Sequence, residues 1–234
     1  MNLFLSDEQK LLGDSVARLF ANESSMLRVR AAESTGFDPS LWDSLVEMGI
    51  PLLRLPEDAG GSGAGLLEAV LIAEQAGRYL ASVPLAEALP VAALLAQLDS
   101  PAATVLLERI RGGALVTLSP LALSGDQQAC LPALSVAEAV LVLEGKQLFA
   151  VNARGAIDQA DNLGSDCLSI VQPEQPELIA SRELVASGDS CYQLFQAAVE
   201  EWKLLKAAML YGLAAQAIHM AAEYSRERIQ FGRP

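Results

Sequence analysis

The chain has 234 residues and a formal charge of −13, with 16 Lys and Arg scattered among 29 Asp and Glu, which excludes the clustered cations that a nucleic-acid partner requires. Its hydrophobic share is 52% and its mean hydropathy +0.30, yet no uninterrupted apolar run approaches the ~18 to 20 residues that cross a bilayer. The excess is Ala and Leu, so packed helices are expected and a membrane span is not.

The first helix starts at Ser6, which can accept from the amide of Gln9 while the Gln9 side chain reaches back, a capping box. Leu11, Leu12, Val16, Leu19 and Phe20 follow at helical spacing. Asp38-Pro39 marks a second start, an N-cap acid before a proline at the first helical position. Leu41, Trp42, Leu45, Val46 and Met48 form that helix's apolar stripe, and Gly49 is suited to end it.

The glycine-rich stretch Gly60-Gly61-Ser62-Gly63-Ala64-Gly65 is followed by a helical pattern from Leu66 to Leu80. It matches neither G-x-x-x-x-G-K-S/T nor G-x-G-x-x-G and opens no βαβ unit, so a tight connection is favoured over a phosphate cradle. Helices continue to Leu98, and Ser100-Pro101 caps another that ends near Gly112-Gly113.

Beyond Gly113, Ala114 to Ser119 and Ala139 to Leu143 are strand-like, and Glu144-Gly145-Lys146 joins the latter to Gln147–Val151 as a hairpin. From Tyr192 the helical period returns without Gly or Pro until Gly212, and the helix is expected to run to about Arg228. Leu194, Ala198, Leu205, Ala208, Met209, Leu213, Ala217 and Met220 share its apolar face, which must be covered by something. The fold class is therefore α+β, mainly α. The expected parts are an α-helical domain over residues 1–112, a β-rich domain over 113–188, and a long helix opening a further helical domain over 189–234.

Few side chains carry obvious chemistry. His219 is the sole histidine and Cys130, Cys167 and Cys191 are widely spaced, so a metal site is not expected and small buried hydrophobes are the favoured account of the thiols. The odd cysteine count, and an amino terminus without a basic n-region, point to a reducing cytoplasm. Glu200 and Glu201 sit beside Trp202, where a carboxylate facing an apolar cavity could serve as a general base; solvated surface is the competing account. Arg226, Arg228 and Arg233 cluster with Gln230 and Phe231. They would either offset the negative end of the helix dipole or clamp a phosphate and stack on a base.

Two sets of residues carry a family resemblance. Tyr224-Ser225-Arg226-Glu227-Arg228-Ile229-Gln230-Phe231-Gly232-Arg233-Pro234 resembles the Tyr-x-x-x-Arg-x-Gln-Phe-Gly-x-Pro signature of acyl-CoA dehydrogenases. The series Leu41-Trp42 to Gly49-Ile50, Leu55-Pro56-Glu57-Asp58 to Gly60-Gly61, and Ala73-Glu74-Gln75 to Gly77-Arg78 follows the order of that family's amino-terminal domain.

The resemblance implies a helical domain, a β-barrel-like middle domain and a four-helix bundle. It also implies FAD-dependent α,β-dehydrogenation of an acyl-CoA thioester to a trans-2-enoyl-CoA, with hydride transfer to flavin N5 and electrons passing to an electron-transfer flavoprotein. Lipid or steroid catabolism is the implied setting, and a homo- or hetero-oligomer, dimer or tetramer, the implied assembly. Arg228, Gln230 and Phe231 match positions that reach a neighbouring subunit's FAD. Leu118-Ser119-Pro120-Leu121-Ala122-Leu123-Ser124 stands where the family shows Thr-Glu-Pro-x-Ala-Gly-Ser, keeping Ser124 as a flavin contact and putting Leu118 where a hydroxyl meets the ring. The usual catalytic glutamate lies beyond Pro234, and at the alternative position on the last helix the aligned residue is Trp202, with Glu201, the candidate base, adjacent. Two other readings are a non-catalytic partner subunit of a heteromeric dehydrogenase and a structural helical-bundle protein.

Overall fold

The computed structural model describes residues 4–121, 123, 128–152 and 154–228. Four of its helices begin where a side chain satisfies one of the first free amides. Ser6 and Gln9 form the reciprocal capping box of α1 (Asp7–Glu23), and Ser25 caps α2 (Met26–Ala31). Asp38 caps α3 (Pro39–Glu47) and Ser100 caps α6 (Pro101–Arg111), each with proline in the first turn. Between them lie α4 (Leu66–Arg78) and α5 (Leu85–Ala96).

α5 is apolar all round and accordingly central: ten of its twelve residues are buried, Glu87 included. The glycine-rich stretch folds back on the chain before it. Gly63 donates to Leu55 at 2.7 Å and Ala64 to Leu53 at 3.1 Å. At Gly61 a Cβ would lie 2.2 Å from the Leu55 carbonyl oxygen, so that position has room for glycine alone.

The β region contains two small sheets. Strands β1 (Val116–Leu118), β3 (Ala139–Glu144), β4 (Gln147–Val151) and β6 (Arg182–Ser187) form one in the order β1-β3-β4-β6; β1 runs parallel to β3 and the other pairs are antiparallel. Glu144 pairs with Gln147 across a two-residue turn in which Gly145 has φ +59°, the left-handed conformation such a hairpin demands. Strands β2 (Ala129–Pro132) and β5 (Leu168–Val171) make a separate antiparallel ribbon, and α7 (Pro176–Ala180) leads into β6.

The chain closes with α8 (Asp189–Glu227), 39 residues long. Its first half docks across α4 and α5, and the crossing with α4 is backbone on backbone. A Cβ on Gly77 would lie 1.9 Å from the Met209 carbonyl oxygen, and one on Gly212 would lie 1.9 Å from that of Glu74. Two buried clusters each draw on the helices, the β region and α8, so the parts share cores rather than packing separately. Trp42 ties them further, its indole donating to the Gly113 carbonyl at 3.0 Å.

Past Gln216, which accepts from Arg78 Nε at 3.1 Å, α8 is exposed to its end. Leu210, Ile218, Met220 and Tyr224 are exposed, and so is Leu213 of the expected apolar face. By length and composition α8 is also apolar enough to cross a bilayer, with 17% of its most apolar window buried. The sequence expectation of no span rested on uninterrupted apolar runs, which this helix breaks with Lys206 and His219.

Candidate functional site

A cleft of about 800 Å³ opens where the three parts meet. Its walls come from the α4–α5 connection (Leu80, Val83), the end of β1 and the start of β2 (Pro120, Leu121, Cys130), the segment 164–168, and one face of α8. On α8 the contributing residues are Trp202, Lys206, Met209, Leu210 and Leu213, each three or four positions from another and so grouped on one side of the helix.

Within this largely apolar lining sits a buried polar cluster. Glu87 of α5 is 3% exposed. Its Oε1 accepts from Trp202 Nε1 at 3.0 Å and from Lys206 Nζ at 2.9 Å. Burial pulls the Lys206 ammonium down, but the charge and hydrogen bond of Glu87, with the charge of Asp166, more than offset it and hold the group above its ordinary range. Lys206 therefore enters the cleft as a cation.

Glu201, expected as the base, is directed elsewhere. One residue along a helix turns a side chain by about 100°, so with Trp202 in the cleft Glu201 is not among the residues lining it. Its carboxylate meets Arg54 at 3.1 Å, with the two side chains 14% and 19% exposed. Burial pushes the Glu201 carboxyl up, and Arg54 pulls it back. Glu200 pairs with Lys203 at the surface.

Leu118 was expected to meet a flavin ring. It is 0% exposed and packs in the core with Val91, Leu95 and Leu141, so its side chain offers no surface to any ligand. Pro120 and Leu121, just beyond it, are what β1 presents to the cleft. Ser124, Gln230 and Phe231 lie outside the described residues.

Arg228 is exposed at the end of α8. Its guanidinium bonds the Tyr224 hydroxyl and sits 5.3 Å from the centre of that ring. Fifteen residues, about 22 Å at 1.5 Å each, separate it from Leu213, the last residue of α8 that lines the cleft.

Cys130, Cys167 and Cys191 are free thiols, each pushed up by burial and so poor nucleophiles. His219 pairs with Glu223 on the exposed surface of α8. Among the described residues no group of three His, Cys, Asp or Glu side chains is placed to hold a metal.

Sequence reasoning passed over Glu87 and Lys206. A signal was present, because Glu87 is the single charge in Leu85–Ala96 and Lys206 the single Asp, Glu, Lys or Arg between residues 204 and 222. Isolated charges in apolar helices are candidates for mutual pairing.

The model "Acyl-CoA dehydrogenase, N-terminal domain" matches residues 6–100. Acyl-CoA dehydrogenase IpdE2 of Mycobacterium tuberculosis is 31% identical over 234 residues, covering 97% of this chain and 67% of the relative. The protein of the same name from Mycolicibacterium smegmatis is 28% identical over 239 residues, 98% of this chain and 68% of the relative. The chain thus spans about two thirds of the length of these relatives. Among solved structures, the Tcur3481-Tcur3483 steroid ACAD superimposes with a TM-score of 0.80 at 26% identity, over 97% of this chain and 69% of that one. The ChsE4-ChsE5 complex of Mycobacterium tuberculosis gives 0.81 at 23% identity, over 100% and 71%, and shows the same fold.

Proposed function

The chain belongs to the acyl-CoA dehydrogenase family, and from that premise we propose that it forms the acyl-binding core of an FAD-dependent enzyme that converts an acyl-CoA thioester into its trans-2-enoyl-CoA. The cleft carries this reading. It is enclosed by helices, β region and α8 together, and its apolar walls would exclude water from an acyl chain, a condition for removing a weakly acidic α-proton.

FAD, when bound, supplies the hydride acceptor of this chemistry. The described β-side wall fits one face of a planar ring, because Pro120 and Leu121 present apolar contact there; Ser124, a further contact implied by the family pattern, lies outside the described residues. Arg228, with Gln230 and Phe231, is assigned to the FAD of a neighbouring subunit, as the family pattern implies; ~22 Å of helix separates Arg228 from Leu213, the last α8 residue lining its own cleft. The exposed apolar stretch of α8 supports the same assembly, a dimer or tetramer with the remaining bundle helices laid against it. An electron-transfer flavoprotein is the proposed electron acceptor, a lipid- or steroid-derived acyl-CoA the substrate, and the cytoplasm the setting.

Neither Glu87 nor Glu201 is assigned the proton abstraction. Glu201 is committed to Arg54, and the Oε1 of Glu87 already accepts from two donors. The base is assigned instead where the family resemblance implies it, on the bundle helices or on a partner.

A second reading, a non-catalytic subunit of a heteromer, is favoured by two observations. Leu118 replaces a flavin-facing hydroxyl with an enclosed side chain, and Trp202 stands where the alternative base would be. The visible spectrum of the purified protein, alone and with any co-encoded dehydrogenase-like subunit, separates the two. Flavin bands that bleach with acyl-CoA at one flavin per chain support the first reading, and one flavin per two chains in a mixed complex supports the second. A protein that neither binds flavin nor completes a partner's site leaves the structural-bundle alternative.

A further inference from the structure

The polar cluster in the cleft has donors to spare. A lysine ammonium carries three N–H groups, and Glu87 is the acceptor to which Lys206 Nζ is bonded among the described residues. The Lys206 side chain is 30% exposed, and that exposure opens onto the cleft it lines. Trp202 shares the Glu87 oxygen, so the carboxylate is held from two sides and in turn fixes the direction of the ammonium. A saturated hydrocarbon filling the cleft would strip water from the remaining N–H groups and give nothing back, a large penalty for a charged donor.

The charge around the cleft decides which acceptor suits it. Its described lining holds two cations, Arg30 and Lys206, against three carboxylates, Glu33, Glu87 and Asp166. A ligand carboxylate would add a fourth negative charge beside Glu87 and Asp166, whereas a neutral carbonyl oxygen accepts from the ammonium without that repulsion. We propose that Lys206, oriented by Glu87, is a specificity residue that selects acyl groups bearing a ketone remote from the thioester over acyl groups that are hydrocarbon throughout. The inference rests on the reading of the cleft as the acyl site. Lys206 acts here as a hydrogen-bond donor to the ligand and takes no part in the proton or hydride transfers.

The test uses a set of straight-chain acyl-CoA thioesters, each with one ketone at a different remote carbon, beside the unsubstituted thioester of the same length. Binding to the assembled protein is followed by the fluorescence of Trp202, which lines the cleft, and flavin bleaching is recorded in parallel. The expected result is that at least one keto thioester binds about 10- to 100-fold tighter than its hydrocarbon counterpart, the range for one hydrogen bond to a charged donor. That ratio falls to near one in Lys206→Met. The double variant Glu87→Gln with Lys206→Met removes both charges and keeps an acceptor for Trp202, so it reports the same loss if the single variant is unstable.

Equal binding of keto and hydrocarbon thioesters by the unmodified protein, binding of neither, or a preference that survives Lys206→Met would overturn the proposal. A keto preference in binding that depends on Lys206, with no bleaching by any thioester, upholds it while refuting the dehydrogenase reading.

Discussion

Replacing Gly77 by alanine tests whether the cleft depends on two helices meeting backbone to backbone. The new Cβ would lie 1.9 Å from the carbonyl oxygen of Met209, 2.5 Å from its carbon and 2.6 Å from its Cα, all backbone atoms that cannot swing aside. Restoring even a 3.0 Å contact moves α4 and α8 apart by about 1 Å or more. Because the clash is with rigid backbone, the overpacking cost lies at the upper end of the usual range, about 3 kcal/mol, and the better helix propensity of alanine returns roughly 1 kcal/mol. The expected net loss is about 2 kcal/mol.

Gly13→Ala is the matched control, the same chemical change inside α1 with nothing within 4 Å of the added methyl. It should stabilise by about 0.5 to 1 kcal/mol. The gap of about 3 kcal/mol corresponds to roughly 6 to 12 °C in thermal midpoint for a chain of this size. Met209 is less than one turn from Lys206, so the displaced helix should also loosen the Lys206–Glu87 pair and weaken ligand binding in the cleft. Equal midpoints for Gly77→Ala and Gly13→Ala in thermal or urea unfolding would refute the crossing and the cleft built on it.

Other consequences are more local. Trp42→Phe leaves the Gly113 carbonyl without its indole donor and should cost about 1 to 2 kcal/mol in urea unfolding. Asp38 is pushed up by burial but held lower overall by Arg28 and by the amides of Leu41 and Ser40, so its carboxyl lies below its ordinary value. The stabilisation from this depressed group is complete above the unfolded value of about 4 and is lost as pH falls through the lower folded value. The acid limb of the stability curve should therefore flatten in Asp38→Asn, and an unchanged limb would remove Asp38 from the account. Glu201→Gln should change turnover of the assembled enzyme by less than about twofold, whereas loss of a true base would cost orders of magnitude. Arg228→Ala should leave the unfolding midpoint of the chain unchanged, because the residue is exposed, while lowering flavin content of the oligomer; unchanged flavin content would cancel its assigned role.

What the sequence determined by itself is the local grammar of the chain. Ser6 with Gln9, Asp38 with Pro39, and Ser100 with Pro101 mark helix starts because capping is satisfied within three residues. The hairpin at Gly145-Lys146 was legible for the same reason, its turn and strands being neighbours in sequence. The helical stretches, the strands after Gly113 and the return to helix from Tyr192 follow from periodicity, and the family resemblance follows from two short motifs.

The site was decided by the tertiary structure. Glu87 and Trp202 are 115 positions apart, and no local pattern specifies that α5 and α8 cross so that one carboxylate receives both the indole and the ammonium. Glu201 illustrates the converse. Adjacent to Trp202 in sequence, it reads as a cavity-facing acid, yet the rotation of one helical residue gives it to Arg54 instead. Leu118 likewise occupies a motif position, but β1 turns it into the core and leaves Pro120 and Leu121 at the cleft. A residue's chemistry is written in the chain, but the partner that gives it a role is chosen by which faces the close α4–α8 contact at Gly77 and Gly212 brings together.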